Sequence, residues 1–193
     1  MQTIVDTYLR HVADHATKDA LACLEPGFTI EFAGAGFELT REQTALALEW
    51  DAGANGRLDW HVVEEGPSSV TIEGSEGNEF LDLIGIESLD FRSVYTVGMT
   101  GLISRQLHEV FWGPVSLADA LAPLLAWAAE HEAGELDDIY PGGQMSYSGP
   151  MAVRWVRLAR RWRSTTLDDE YSDNDLDDLG RWFDEGGAGF RFI

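Results

Sequence analysis

Lysine is almost missing: Lys18 is the only one, the remaining basic side chains are arginines, and 34 acidic residues face 13 basic ones. The resulting net charge of −21 leaves the main body of the chain no patch that could neutralise phosphates, so nucleic acid and anionic membrane surfaces are excluded as partners. An acidic surface short of lysine fits a salty cytoplasm, a GC-rich genome or plain solubility alike. Cysteine is as scarce. The lone Cys23 cannot close an internal disulfide, and its helical apolar setting, with no histidine beside it, reads as a buried core thiol. Long apolar runs are absent too, and nothing approaches the ~18–20 residues a membrane-spanning helix needs. Residues 1–6 lack the basic start and apolar stretch of a secretory signal. These absences together lead us to expect a cytoplasmic protein. No glycine-rich phosphate loop follows a strand, no nucleophile elbow occurs, and no cysteine spacing suits a metal, so neither cofactor nor metal is expected.

What is present is a chain of 193 residues, 45% hydrophobic, enough for one good core and an appendage. Its clearest local signal is a hairpin over 88–111. Phe91, Ser93, Tyr95 and Val97 share one face of the first run, with Arg92, Val94 and Thr96 on the other. After the Gly98-Met99-Thr100-Gly101 turn, Ile103, Leu107 and Phe111 oppose Ser104, Gln106, His108 and Val110. Two alternating runs around a glycine-bounded connection predict the centre of a curved sheet.

Upstream, Ile4, Val5, Tyr8, Leu9 and Val12 recur at helical spacing over 4–15. Thr17 is expected to cap a short helix over 18–24, which Glu25-Pro26-Gly27 ends. A strand over 28–32 turns through 33–36 and returns along 37–39. Thr40 and Gln43 then form a capping box that opens a helix to Trp50-Asp51. Strands follow over 58–63 and 70–73, then a loop over 74–78. The apolar segment 80–84 fits helix and strand equally. The class is α+β, with an antiparallel sheet wrapped on one helical side.

This order, with the local pattern Tyr8…Leu24…Phe28-Thr29-Ile30-Glu31, resembles the nuclear transport factor 2-like superfamily over residues 1–114. That cone-shaped fold is shared by ketosteroid isomerases, limonene-epoxide hydrolases, scytalone dehydratases and small polyketide cyclases. The resemblance implies a mostly apolar cavity between the first helices and the concave sheet, and a homodimer through the outer sheet face. It also implies that Tyr8 stands where the isomerases carry their oxyanion-hole tyrosine. Their aspartate base is replaced by Phe32, and their protonated aspartic acid by Ser93. Phenylalanine abstracts no proton and a serine hydroxyl is a far weaker acid, so this resembles no working ketosteroid isomerase. In the implied register the cavity has Tyr8, Phe32, Trp50 and Tyr95 as walls and Ser93, Gln106 and His108 as polar points, a lining suited to a small apolar ligand.

Past 111–114 the character changes. Ser116 caps a helix over 117–132 with an apolar stripe of Leu117, Leu121, Leu124, Leu125 and Ala128, followed by an acidic turn. Pro150 opens a helix to 164 with Met151, Trp155, Leu158 and Trp162 on one side and five arginines elsewhere. The two are expected to form a helical hairpin, residues 115–164, packed against the domain and over the cavity mouth. The acidic tail 165–193 is read as disordered, or as a short helix of Leu176, Leu179, Trp182 and Phe183 docked on the arginines.

Three functions stay open on these residues. One is binding of a small apolar molecule. Another is a cofactor-free enzyme (isomerase, dehydratase, cyclase or hydrolase) in which His108 is the base and Tyr8 polarises a carbonyl. The third is a protein-interaction scaffold. Asp51, Glu79 and Asp82 are further acidic candidates near the cavity mouth, and His11 with His15 is a histidine pair on a solvated helix face.

Overall fold

A computed structural model describes residues 4–111 and 113–168. The chain enters through α1 (Ile4–Ala13) and α2 (Thr17–Ala22). Thr17 is not the cap expected of it: Ala16 holds that position and makes no side-chain cap bond, so Thr17 is the first helical residue. β1 (Leu24–Phe32) takes in Glu25-Pro26-Gly27, which therefore begin a strand instead of merely ending a helix. Proline is tolerated there because the ladder to β6 is interrupted between Leu24 and Thr29, where no partner needs its missing N–H.

β2 (Glu38–Thr40) leads into α3 (Arg41–Gly53), whose capping box is made on both sides. The Thr40 hydroxyl accepts from Gln43 N–H, and the Gln43 side chain accepts from Thr40 N–H. β3 (Arg57–Glu65) and β4 (Ser69–Gly77) pair antiparallel, and β4 runs through most of the segment expected to be a loop. The ambiguous segment is helical: α4 (Glu79–Leu83) is capped by Asn78, whose side chain accepts from Leu81 N–H. β5 (Leu89–Val97) and β6 (Ile103–Phe111) form the expected hairpin.

The six strands lie in the order β2-β1-β6-β5-β4-β3, so that hairpin is central. The sheet is mixed and not wholly antiparallel, since β1 runs parallel to β6 and pairs Phe32 with His108 and Ile30 with Gln106. Alternation along β5 is as expected, with Leu89, Phe91, Ser93 and Tyr95 buried. Along β6 the phase slips. A register shift beside Thr96 and Val97 puts Ile103 inward at 0% exposure while Gln106 and His108 also face in, so Ile103 does not oppose them.

Two apolar cores lie along the inner face of this sheet. One joins α1, α2 and β1 to Ile72, Phe91, Tyr95 and Ile103 on the concave side. The other surrounds Phe80 and Trp155 and draws on α3, α4 and the C-terminal helices. Among the described residues those are α5 (Leu117–His131), capped by Ser116, α6 (Ala133–Ile139) where an acidic turn was expected, and α7 (Gly149–Asp168). α7 packs on α3 and α4. Its arginines meet acids of neighbouring elements, Arg154 with Glu135 and Asp138, Arg160 with Glu79, and Arg161 with Glu132. The docking helix expected in the acidic tail lies outside the described residues. Among those described, no helix is long and apolar enough to cross a membrane.

Candidate functional site

Helical geometry decides what α3 shows to the sheet. Thr44, Ala47, Leu48 and Asp51 recur at i, i+3, i+4 and i+7 and line a hollow of about 160 Å³ beneath the helix. Tyr8 and Leu9 of α1 close one side of it, and Phe32, Phe91, Tyr95, Gln106 and His108 of the sheet form its floor. Among the described residues, none of the lining comes from α5, α6 or α7, so these helices do not cover the mouth as expected.

Trp50 is not a wall of this cavity. It sits roughly 100° round α3 from the lining stripe, and its ring packs into the second core, 6.0 Å from Phe80 and 5.1 Å from Tyr147. Tyr8, Phe32, Tyr95, Gln106 and His108 all reach the cavity, as placed from the sequence. Ser93, expected as a polar point of the cavity, is instead fully buried beneath it and does not line it.

Beneath the floor runs a short polar relay. His108 stands between Phe32 and Phe91, each ring centroid 5.4 Å away. Its Nδ1 is 2.7 Å from Ser93 Oγ, and Gln106 Nε2 donates to the same Oγ at 3.1 Å. On the other side of the ring, Nε2 faces Glu76 Oε1 at 3.7 Å. A carboxylate opposite Nε2 favours the tautomer that carries its proton there. In that tautomer Ser93 donates to Nδ1 and the Nε2 proton faces Glu76. Gln106 Oε1 is buried and has no donor partner among the described residues.

Asp51 is the acidic member of the site. Burial pushes its carboxyl up to about 7, the nearby Glu76 carboxylate adds to the rise, and the amide of Asn78 works against both. The same enclosure raises the Tyr8 and Tyr95 phenols well above their usual value, so both stay protonated and can donate. Their rings lie 5.9 Å apart. Glu79 and Asp82, the other acidic candidates, are committed elsewhere. Glu79 accepts from Asn55 and pairs with Arg160, and Asp82 takes a two-pronged bond from Arg57 at 2.7 Å. From the sequence Asp51 is only one of three acidic candidates near the mouth, and placing Trp50 in the wall hides the stripe of Thr44, Ala47, Leu48 and Asp51. Glu76 carried no signal, because its segment read as a loop.

No family model matches the chain, and no curated protein matches it in sequence. Solved structures do resemble it. An epoxide hydrolase/cyclase-like enzyme of pyran ring formation in the polyether salinomycin is 20% identical, covering 57% of this chain and 88% of its own, with a TM-score of 0.48. AusH from Aspergillus nidulans is 13% identical over 58% of this chain and 86% of its own, at 0.47. A protein of unknown function from Cytophaga hutchinsonii, of the nuclear transport factor 2-like type, is 14% identical over 56% and 87%, at 0.45. Likenesses this distant carry no role for any residue. The fold stands on the chain's own topology: a curved mixed sheet ordered β2-β1-β6-β5-β4-β3, with α1 to α3 over its concave face, is the α+β cone arrangement expected from the sequence.

Proposed function

We propose that the cavity binds a small, mostly apolar molecule and that Asp51 moves a proton on it, making the protein a cofactor-free acid–base enzyme. The observation that carries this reading is a carboxyl set in the wall of an apolar cavity beside Glu76, with the Asn78 amide 3.4 Å away; burial there pushes it up to about 7, where a group both takes and returns a proton readily. Asp51 then has the role the sequence suggested for His108. His108, through Nε2–H, and Tyr8, through its hydroxyl, are donors to a developing oxyanion or hydroxyl. Size limits the class further. A dry cavity of ~150 Å³ holds a molecule about as large as benzene, so about 160 Å³ suits a single ring or a short branched chain and is too small for a four-ring steroid.

The test has two parts. A panel of single-ring ketones, epoxides and unsaturated alcohols is screened for turnover, and the Asp51 carboxyl is titrated by carbon NMR. Turnover with a pH limb near 7 that is lost in Asp51→Asn supports the proposal. A ligand that raises the melting temperature without turnover leaves a binding protein, and an Asp51 midpoint near the ordinary carboxylate value removes the acid–base role. The homodimer belongs to the same reading. On the outer sheet face Leu107 and Phe111 are exposed, near the Arg92–Glu73 and Arg105–Glu31 ion pairs, and light scattering decides whether a second copy covers them.

A further inference from the structure

Asp51 has a second side. Behind it lies another hollow, of about 80 Å³, that shares Asp51 and Glu76 with the ligand cavity and is otherwise bordered by such groups as His15, Arg57 and Asn78. It has room for a few water molecules. Asn78 is 6% exposed and stands at this wall with its amide committed in both directions. Its Oδ1 accepts from Leu81 N–H at 2.9 Å as the cap of α4, which leaves Nδ2 to face Asp51 Oδ1 at 3.4 Å. The amide cannot turn over without breaking the cap, so the donor is aimed by the helix start itself.

We propose that Asn78 is a positioning residue for Asp51: from the second hollow it holds the carboxyl in place and donates to its charged form, so that the acid is reached by solvent on one side and by ligand on the other. This rests on the acid–base reading of Asp51. Every charged or titratable group around that carboxyl bears on the outcome. Glu76 adds negative charge from β4, Tyr8 from α1 and Tyr147 ahead of α7 are neutral donors, and His108 lies across the cavity. His15 borders the second hollow, and Arg57 there is already bound to Asp82.

The test compares the Asp51 carboxyl titration in the intact protein with that in Asn78→Asp, which keeps the helix cap but replaces the donor by an acceptor. Asn78→Ser is the second variant, keeping a cap oxygen without the amide. The midpoint should rise in both, by about a tenfold change in proton affinity or more for Asn78→Asp, with the far-ultraviolet circular dichroism unchanged. Where a substrate has been found, the acidic limb of kcat should move with it. An unchanged Asp51 midpoint in a folded Asn78→Asp or Asn78→Ser variant overturns the proposal. If the parent midpoint is ordinary yet shifts in the variants, Asn78 positions Asp51 and the acid–base function fails instead, so the two failures are separable.

Discussion

A carboxyl enclosed like that of Asp51 ties stability to pH. Its ordinary value is 3.8 and its folded value about 7, so the folded chain holds a proton across that window that the unfolded chain has released. The sign follows from linkage: this group's contribution is fully present below about pH 4 and lost as pH rises through 7, with a ceiling of about 4 kcal/mol. Asp51→Asn should therefore be the more stable protein at pH 7 to 8, and the gap should close towards pH 4, as read by urea unfolding at several pH values. Ser93 lives by a different rule. It is fully buried and serves both His108 and Gln106, so Ser93→Ala leaves His108 Nδ1 and Gln106 Nε2 only their longer mutual contact at 3.4 Å. A loss of about 1–3 kcal/mol is expected in the same measurement. Ser93→Thr, which retains the hydroxyl, should recover part of it.

Elements hold these residues in place through close contacts. α3 meets α7 at Gly53, where an added Cβ would stand 2.5 Å from the Gly149 carbonyl oxygen and 3.0 Å from Ala152 Cβ. Backbone on both sides makes the clash hard to relax. Gly53→Ala should cost about 1–3 kcal/mol by calorimetry or denaturant melts, and it should disturb Asp51, two residues back on the same helix. α7 also ties α4, through Arg160 to Glu79 and through Arg163 Nε donating to the Leu83 carbonyl. The C-terminal helices thus brace, from behind, the two elements that carry Asp51 and Asn78. Much of this level was readable in the sequence, because capping is local. Thr40 with Gln43 and Ser116 with Asp119 are settled within one helical turn. The helix over 79–83 was not, since five residues are too few to show a period. Packing against α7 and the Asn78 cap decided it.

At the scale of the whole molecule, the second core makes the C-terminal helices part of the fold. Trp155 is fully buried against Phe80, and Trp50, Ala54, Ile84 and Leu89 belong to the same cluster. A chain ended at residue 114 would expose that cluster as one apolar patch. It is expected to aggregate, or to bind a hydrophobic dye, where the full chain does neither. Charge acts over the same distances. With a net charge of −21, self-repulsion should be screened by added salt, and the melting temperature should rise between about 0.01 and 0.5 M sodium chloride before levelling off.

Sequence alone determined the α+β class, the central hairpin and the helix caps at Thr40 and Ser116. Each depends on neighbours within a few residues or on a repeating period, which the chain carries wherever it goes. Only the tertiary structure decided which of these side chains meet. Phe32 meets His108 because β1 runs parallel to β6, a pairing between distant segments. Ile103 turns inward because one register shift reverses a strand's faces. Trp50 leaves the cavity and Asp51 enters it because one rotation of α3 satisfies two cores at once. The raised carboxyl then follows from enclosure beside Glu76, a contact between segments that share no local signal.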